Sequence, residues 1–288
     1  MDATDGAPRE RRIAPDDSEA VSALSVEAGW NQNVADWRFM LEHGAAFGAL
    51  DAADRWIGSA LALPLGPRLS WIGMVLVTRA RRRDGLGTLL LRRCVEHVSA
   101  SGAVAGLDAT DLGRPLYLTM GFHDLYRLSR WRVDRVPPAP PSPPGVELRP
   151  MRSADLDTVA AFDAPRSAME RGYMLRHLRG RRPALAWVAR RGGAVVGYVT
   201  GRGGLGPSSV GPVVADGEDI AIALMAKAMS AASGPFLLDS PDAHAGVAAW
   251  LRSAGNTAPR YYIRMTAGDV AGLDDPRHVF ALAGPELG

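Results

Sequence analysis

Val75-Leu76-Val77-Thr78-Arg79-Ala80-Arg81-Arg82-Arg83-Asp84-Gly85-Leu86-Gly87-Thr88 is the stretch on which the reading of this chain turns. An apolar run with strand character enters a basic loop. The loop opens onto a periodic segment in which Leu86, Leu90, Cys94 and Val98, with Leu91 and Val95 beside them, mark one face of a helix. The first N–H groups of such a helix have no intrahelical partner, and together with the helix dipole they favour an anion. Gly85 and Gly87 carry no Cβ, so a phosphate can approach the backbone closely. Arg82 and Arg83 add charge-assisted donors for a diphosphate or a ribose phosphate. Glycines before helices are common and an arginine run is usually a solvated face, so the loop acquires meaning only with a second element.

Upstream, short apolar runs separated by Asp, Gly and Pro predict strands at 45–50, 56–63 and 69–78. A short strand opens at Ile13, Asp16, Asp17 and Ser18 offer an N-cap for a helix toward Ala28, and a second helix is expected over 34–43. Downstream, 104–109 reads as strand, 114–120 as a short helix and 122–133 as an extended strand or hairpin. This alternation puts the chain in the α/β class with α+β character.

The second element lies on that short helix, in Tyr117-Leu118-Thr119-Met120-Gly121-Phe122. Together the two resemble the GNAT acetyltransferase superfamily. Its cofactor loop reads (Gln/Arg)-x-x-Gly-x-(Gly/Ala), as Arg82 to Gly87 do, and its later motif sets a tyrosine four residues before Gly-Phe. The resemblance covers about residues 10–135 in the family's order. It implies a mixed, mostly antiparallel central sheet flanked by helices, with acetyl-CoA as co-substrate and no metal. The pantetheine arm would lie against the backbone of Val75 and Val77 like an added strand. The phosphates would sit on Arg82, Arg83, Asp84, Gly85, Leu86, Gly87 and Thr88. An amine would attack the thioester directly, a backbone N–H near Val77 would hold the oxyanion, and Tyr117 would protonate the departing thiolate. A phenol of reference pKa about 10 is a competent donor to a thiolate of about 8.5. The plain alternative for Tyr117 is a half-buried ring with its hydroxyl in water.

Many members of the family carry a glutamate on the strand assigned to 69–78, and this sequence has no carboxylate there. Asp36, Asp108 and Asp111 are candidate substitutes, but a solvated or capping group is the readier reading of each, so no general base is assigned. Trp30, Asn31, Trp37 and Trp71 fall where the resemblance places the acceptor, and aromatics there can wall an amine pocket. Core packing accounts equally well for Trp37 and Trp71. Cys94 sits on the core face of its helix and reads as a small hydrophobe, and the six histidines show no ligand spacing. The activity implied is N-acetyl transfer to a primary amine of a small molecule. The alternatives are a non-catalytic acyl-CoA sensor and a transferase of a longer acyl group.

Composition narrows the partners. With 33 basic against 31 acidic residues the net charge is +2, too small to imply nucleic acid or membrane by bulk electrostatics. Nor is the arginine run interleaved with aromatics as in a nucleic-acid surface. A single cysteine excludes an intramolecular disulfide and a multi-Cys zinc site, and points to a reducing cytoplasm. No apolar run of about 18 residues occurs, and no apolar segment follows the polar first residues.

The 288-residue length suits two domains. The boundary is Val136-Pro-Pro-Ala-Pro-Pro-Ser-Pro-Pro-Gly145, a semi-rigid polyproline linker. This divides the chain into a cofactor-binding domain over 1–135, the linker over 136–145, a second domain over 146–280 and a tail over 281–288. Landmarks recur at an offset of roughly 134 to 139 residues: Ile57-Gly58 with Val196-Gly197, Trp71-Ile72-Gly73 with Ser209-Val210-Gly211, and Gly121 and Arg130 with Gly255 and Arg264. The second copy lacks the loop. Asp216-Gly217-Glu218-Asp219 would satisfy a helix dipole and repel a diphosphate, and Leu251 stands where Tyr117 stands in the first copy. The second domain is therefore expected to be a degenerate fold kept for architecture, shaping the acceptor cleft or a homodimer interface.

Overall fold

A computed structural model describes residues 7–269 and 275–288. The chain folds as two compact units. Unit 1 comprises the described residues up to Leu107 with Pro115–His123 and Thr266–Asp269; unit 2 comprises Asp108–Arg114, Asp124–Met265 and 275–288.

In unit 1, β1 (Arg9–Ile13), β2 (Ala45–Leu50), β3 (Trp56–Pro64) and β4 (Leu69–Val77) pair antiparallel in that order, and β5 (Val104–Ala109) joins β4 in parallel. Its helices are α1 (Ser18–Ala28), α2 (Val34–His43), α3 (Leu86–Ala100) and the short α4 (Arg114–Thr119), whose Arg114 belongs to unit 2. Every β3 residue but Pro64 is buried, so both faces of the strand are covered. Close packing of α3 on the sheet requires Gly58: a Cβ there would stand 3.0 Å from Leu90 and 3.1 Å from Leu86.

Unit 2 contains β6 (His123–Val133) apart from His123, β7 (Val146–Pro150), β8 (Trp187–Arg191), β9 (Ala194–Gly203), β10 (Ser208–Ala215), β11 (Phe236–Pro241), β12 (Thr257–Ala267) apart from Thr266 and Ala267, and β13 (Val279–Ala281). They lie in the order β12-β6-β11-β10-β9-β8-β7, with β13 on β10. The helices are α5 (Leu156–Ser167), α6 (Gly172–Arg181), α7 (Glu218–Ser230) and α8 (Ala245–Ser253). The helix-on-glycine contact recurs at Gly197, where a Cβ would meet Leu224 at 2.9 Å and Ile220 at 3.1 Å. That shared packing is the physical reason for the Ile57-Gly58 and Val196-Gly197 landmark.

The units cross the proline-rich segment. β6 precedes it in sequence, yet pairs antiparallel with β11 in unit 2, Leu128 opposite Pro241 through Val133 opposite Phe236. Two ion pairs join distant stretches of sequence within unit 2, to which Asp108 at the end of β5 also belongs. Arg130 of β6 meets Asp239 of β11 at 2.7 Å, while Arg264 of β12 makes two hydrogen bonds to Asp108 of β5, at 2.9 and 2.8 Å, with both side chains sealed from solvent. The 281–288 segment is not an external tail. Val279 through Gly284 are buried, Glu286 pairs with buried Arg202, and the Gly288 carbonyl accepts from buried Arg171. The apolar run Val279-Phe280-Ala281-Leu282-Ala283 accounts for this, because leaving it exposed would forfeit its hydrophobic burial.

Candidate active site

The central feature of unit 1 is a strand that leaves its neighbour. β4 and β5 pair in parallel from Leu69 opposite Val104 to Trp71 opposite Gly106. Beyond that point β4 carries a bulge. Its register against β3 shifts between Ser59 and Leu61, and Met74, buried, takes a left-handed φ of 53°. The buried Ser59 hydroxyl donates to the Met74 carbonyl at 2.8 Å and fixes the bulge. Val75 and Val77 follow, both half-buried, on the stretch of β4 that continues past the last pair with β5.

The basic loop begins as a single 3-10 turn, Arg79–Arg81. The Arg79 amide donates to Glu27 at 2.7 Å, and Arg81 pairs with Asp84 at 2.9 Å. Arg82 and Arg83 are exposed, and the Arg82 guanidinium donates to the Val77 carbonyl at 3.3 Å. Arg83 and Gly85 both adopt left-handed φ, 73° and 79°. A left-handed residue followed by the helical Leu86 makes a concavity of N–H groups. The first bond of α3 runs from the Leu89 amide to the Gly85 carbonyl, so the amides of Leu86, Gly87 and Thr88 lie in the unpaired first turn. A Cβ on Gly87 would touch Val77 at 3.5 Å, so the strand end and the helix start converge here.

Tyr117 sits on α4 in a self-contained unit. The helix ends at Thr119, Gly121 turns left-handed with φ 83°, and the amides of Met120 and Phe122 return to the Tyr117 carbonyl at 3.0 and 3.2 Å. Phe122 is buried, and its ring lies 6.0 Å from that of Tyr117. Tyrosine, glycine and phenylalanine at this spacing are therefore one helix stop with its hydrophobic contact. Burial pushes the Tyr117 phenol up to about 12, so it is a neutral donor throughout the physiological range.

The expected acceptor residues separate. Trp37 and Trp71 are fully buried: the Trp37 ring N–H donates to Ser25 at 2.9 Å, and the Trp71 ring covers Gly106, where a Cβ would come within 2.4 Å. Both belong to the core of unit 1, which corrects the expectation that they wall a pocket. Trp30 and Asn31 are half-buried after the Gly29 cap of α1. The carboxylates are committed elsewhere. Asp36 and Asn33 cap α2 reciprocally at 3.0 and 3.1 Å, Asp108 serves Arg264, and Asp111 accepts from Tyr261. Cys94 is buried and its thiol is pushed up by desolvation. A surface hollow of about 360 Å³ lined by Arg12, His43, Ala62, Ser70 and His97 lies at the other end of β4 and holds none of these groups. Two elements escaped the sequence reading. The Met74 bulge puts its left-handed φ on methionine and not on the adjacent Gly73, so residue type does not mark it, and Glu27 is 52 residues from the Arg79 it anchors.

The second copy shows what the same position looks like when carboxylates fill it. Asp219 accepts from the Ile220 amide at 2.8 Å at the start of α7, Glu218 accepts from the Val247 amide at 2.9 Å at the start of α8, and Asp216 pairs with Arg166 at 2.7 Å. Leu251 is fully buried, and Gly255 repeats the left-handed stop with φ 78°. Among the described residues no group of three His, Cys, Asp or Glu could hold a metal, and no helix is long and apolar enough to cross a membrane.

The comparisons agree with this geometry. The Acetyltransferase (GNAT) family matches residues 13–122 and the Acetyltransferase (GNAT) domain matches residues 159–281. The uncharacterized N-acetyltransferase YitH of Bacillus subtilis (strain 168) is 26% identical over 224 residues, spanning 77% of this chain and 78% of the relative. A solved Pyrococcus horikoshii protein superposes with a TM-score of 0.80 at 19% identity, covering 98% of this chain and 96% of that one. A tandem GNAT protein from the clavulanic acid biosynthesis pathway superposes with a TM-score of 0.62 at 16% identity over 91% of this chain and 99% of that one. At those identities the two structures speak for the fold, and the family matches fall on both copies. The chain belongs to the GNAT superfamily as an acyltransferase carrying two GNAT domains in tandem.

Proposed function

We propose that unit 1 moves an acetyl group from acetyl-CoA to the primary amine of a small molecule by direct attack, with Tyr117 as general acid. The observation that carries this reading is the convergence of the unpaired length of β4, the amides of Leu86, Gly87 and Thr88, and the exposed guanidinium groups of Arg82 and Arg83. The diphosphate would rest on those amides and arginines. The pantetheine would follow the backbone of Val75 and Val77 as an added strand. That orientation holds the thioester next to the bulge, where a backbone N–H near Val77 would stabilise the oxyanion as the amine attacks.

When the tetrahedral intermediate collapses, the C–S bond breaks and the sulfur takes its electron pair. Tyr117 would donate a proton to that sulfur. Its raised phenol makes it a weaker acid than tyrosine in water, yet keeps the proton in place at every working pH. With Asp36, Asp108 and Asp111 engaged, the amine would enter already deprotonated or lose its proton to water. Trp30 and Asn31, half-buried after α1, remain the proposed contacts for the acceptor.

A thiol-release screen of acetyl-CoA and longer acyl-CoAs against a panel of amines tests this reading, run with wild type and Tyr117→Phe. Wild type should release CoA only in the presence of an amine, and the variant should bind acetyl-CoA while losing most of the rate. A protein that binds acetyl-CoA and releases no thiol with any amine would be a sensor.

A further inference from the structure

The V between diverging parallel strands occurs in unit 2 as well, and there it is filled. β10 and β11 pair in parallel only at Ser208 with Phe236 and Ser209 with Leu237, then part. Like β4, β10 has a register shift against β9, between Val210 and Val213. The Thr200 hydroxyl donates to the Gly211 carbonyl at 3.2 Å, much as Ser59 serves Met74. Into the opening comes β13. It runs antiparallel to β10, with Ala281 opposite Val213 and Val279 opposite Val214, and the Ala215 amide donates to the His278 carbonyl at 3.1 Å. On the other side the Leu282 amide donates to the Asp239 carbonyl of β11 at 2.9 Å. Residues 278–282 thus bond to both parted strands.

We infer that unit 2 has kept the acyl-CoA groove of its fold and turned it into a binding site for an extended peptide strand, whose ligand is this chain's own segment 276–288. The inference rests on the proposed reading of the groove in unit 1. Three independent features fit the peptide and exclude the cofactor. A Cβ at Gly211 would stand 1.8 Å from the Leu282 carbonyl oxygen, so glycine is what lets the segment seat. Buried side chains grip it along its length: the His244 ring lies 2.9 Å from the carbonyls of Pro276 and Val279, Arg202 pairs with Glu286, and Arg171, held by Asp163 at 3.0 Å, donates to the Gly288 carbonyl at 3.3 Å. At the start of α7, where a diphosphate would sit, Asp219 accepts from the Ile220 amide, and Glu218 and Asp219 place two carboxylates in the first turn. A pantetheine arm and this segment would make the same strand-edge hydrogen bonds, so they cannot share the groove.

Two measurements on the full chain decide it. Calorimetric titration with CoA should give one equivalent per chain, and Arg82→Ala with Arg83→Ala should weaken that uptake about 30- to 150-fold without revealing a second site. Two equivalents would overturn the inference. Native-state hydrogen exchange without ligand should show the amides of 279–282 exchanging as slowly as those of the neighbouring β10. Exchange there at the rate of an open loop would overturn it as well. If no CoA binds at all, the proposed function fails and the exchange result still decides this point. Gly211→Ala should raise exchange across 279–282 selectively; because that variant can also fail to fold, the wild-type exchange pattern remains the deciding readout.

Discussion

Replacing Arg82 and Arg83 together by alanine tests the phosphate grip without disturbing the fold. Both side chains are exposed, and the hydrogen bond shown for either guanidinium is the 3.3 Å contact of Arg82 with the Val77 carbonyl. Loss of stability should therefore stay within about 0.5 kcal/mol, as for surface substitutions generally. A hydrogen bond to a charged group contributes about 1.5–3 kcal/mol, and solvent screening at an open loop reduces each arginine to about 1–1.5 kcal/mol. The pair then amounts to about 2–3 kcal/mol, which is about a 30- to 150-fold rise in the dissociation constant for acetyl-CoA. KM for acetyl-CoA should rise accordingly while kcat changes little, because the lost contacts are made equally in the ground and transition states. Calorimetry and steady-state thiol release measure the two quantities, with Arg132→Ala, exposed and paired with Asp134 in unit 2, as control. A change of less than about threefold, under about 0.7 kcal/mol, would refute the assignment of these guanidinium groups to the phosphates.

Tyr117→Phe should lower kcat by about 100-fold or more, the usual scale for a general acid, with acetyl-CoA affinity retained. Since burial raises the phenol to about 12, the protonated donor persists as pH rises, and the wild-type rate should show no falling limb from this group below about pH 11. A limb centred near the ordinary phenol value would contradict that assignment. Arg264→Met should leave Asp108 buried without its partner and destabilise unit 2 by about 3–5 kcal/mol, read by chemical denaturation; a loss below about 1 kcal/mol would contradict the sealed pair. Cys94 should resist thiol reagents in the native state and react only on unfolding, because desolvation disfavours its thiolate.

What the sequence revealed was local chemistry. The loop from Arg82 to Gly87 and the stop from Tyr117 to Phe122 each place their interactions within a few residues, so their residue types announce them. Helix and strand bounds followed for the same reason, with α2 over Val34–His43 and β2 over Ala45–Leu50 as expected. Hidden were the pairings made across long sequence separations. β6 has the same apolar alternation whichever unit it enters, and nothing near Asp108 points to Arg264, 156 residues away. Trp37 and Trp71 illustrate a different limit: an aromatic side chain serves a pocket wall or a core equally well until its neighbours are known. The segment 281–288, which reads as a tail in the sequence, is buried in the fold; a three-residue strand and an apolar run are too short a pattern to distinguish from loop.

The most direct test of the phosphate grip is a structure of the intact chain with CoA bound. Oxygens of the diphosphate should lie about 2.7–3.2 Å from the amide nitrogens of Leu86, Gly87 or Thr88, with a guanidinium of Arg82 or Arg83 alongside. A diphosphate seated anywhere else, or a loop of 82–88 that makes no contact with the nucleotide, would contradict the account.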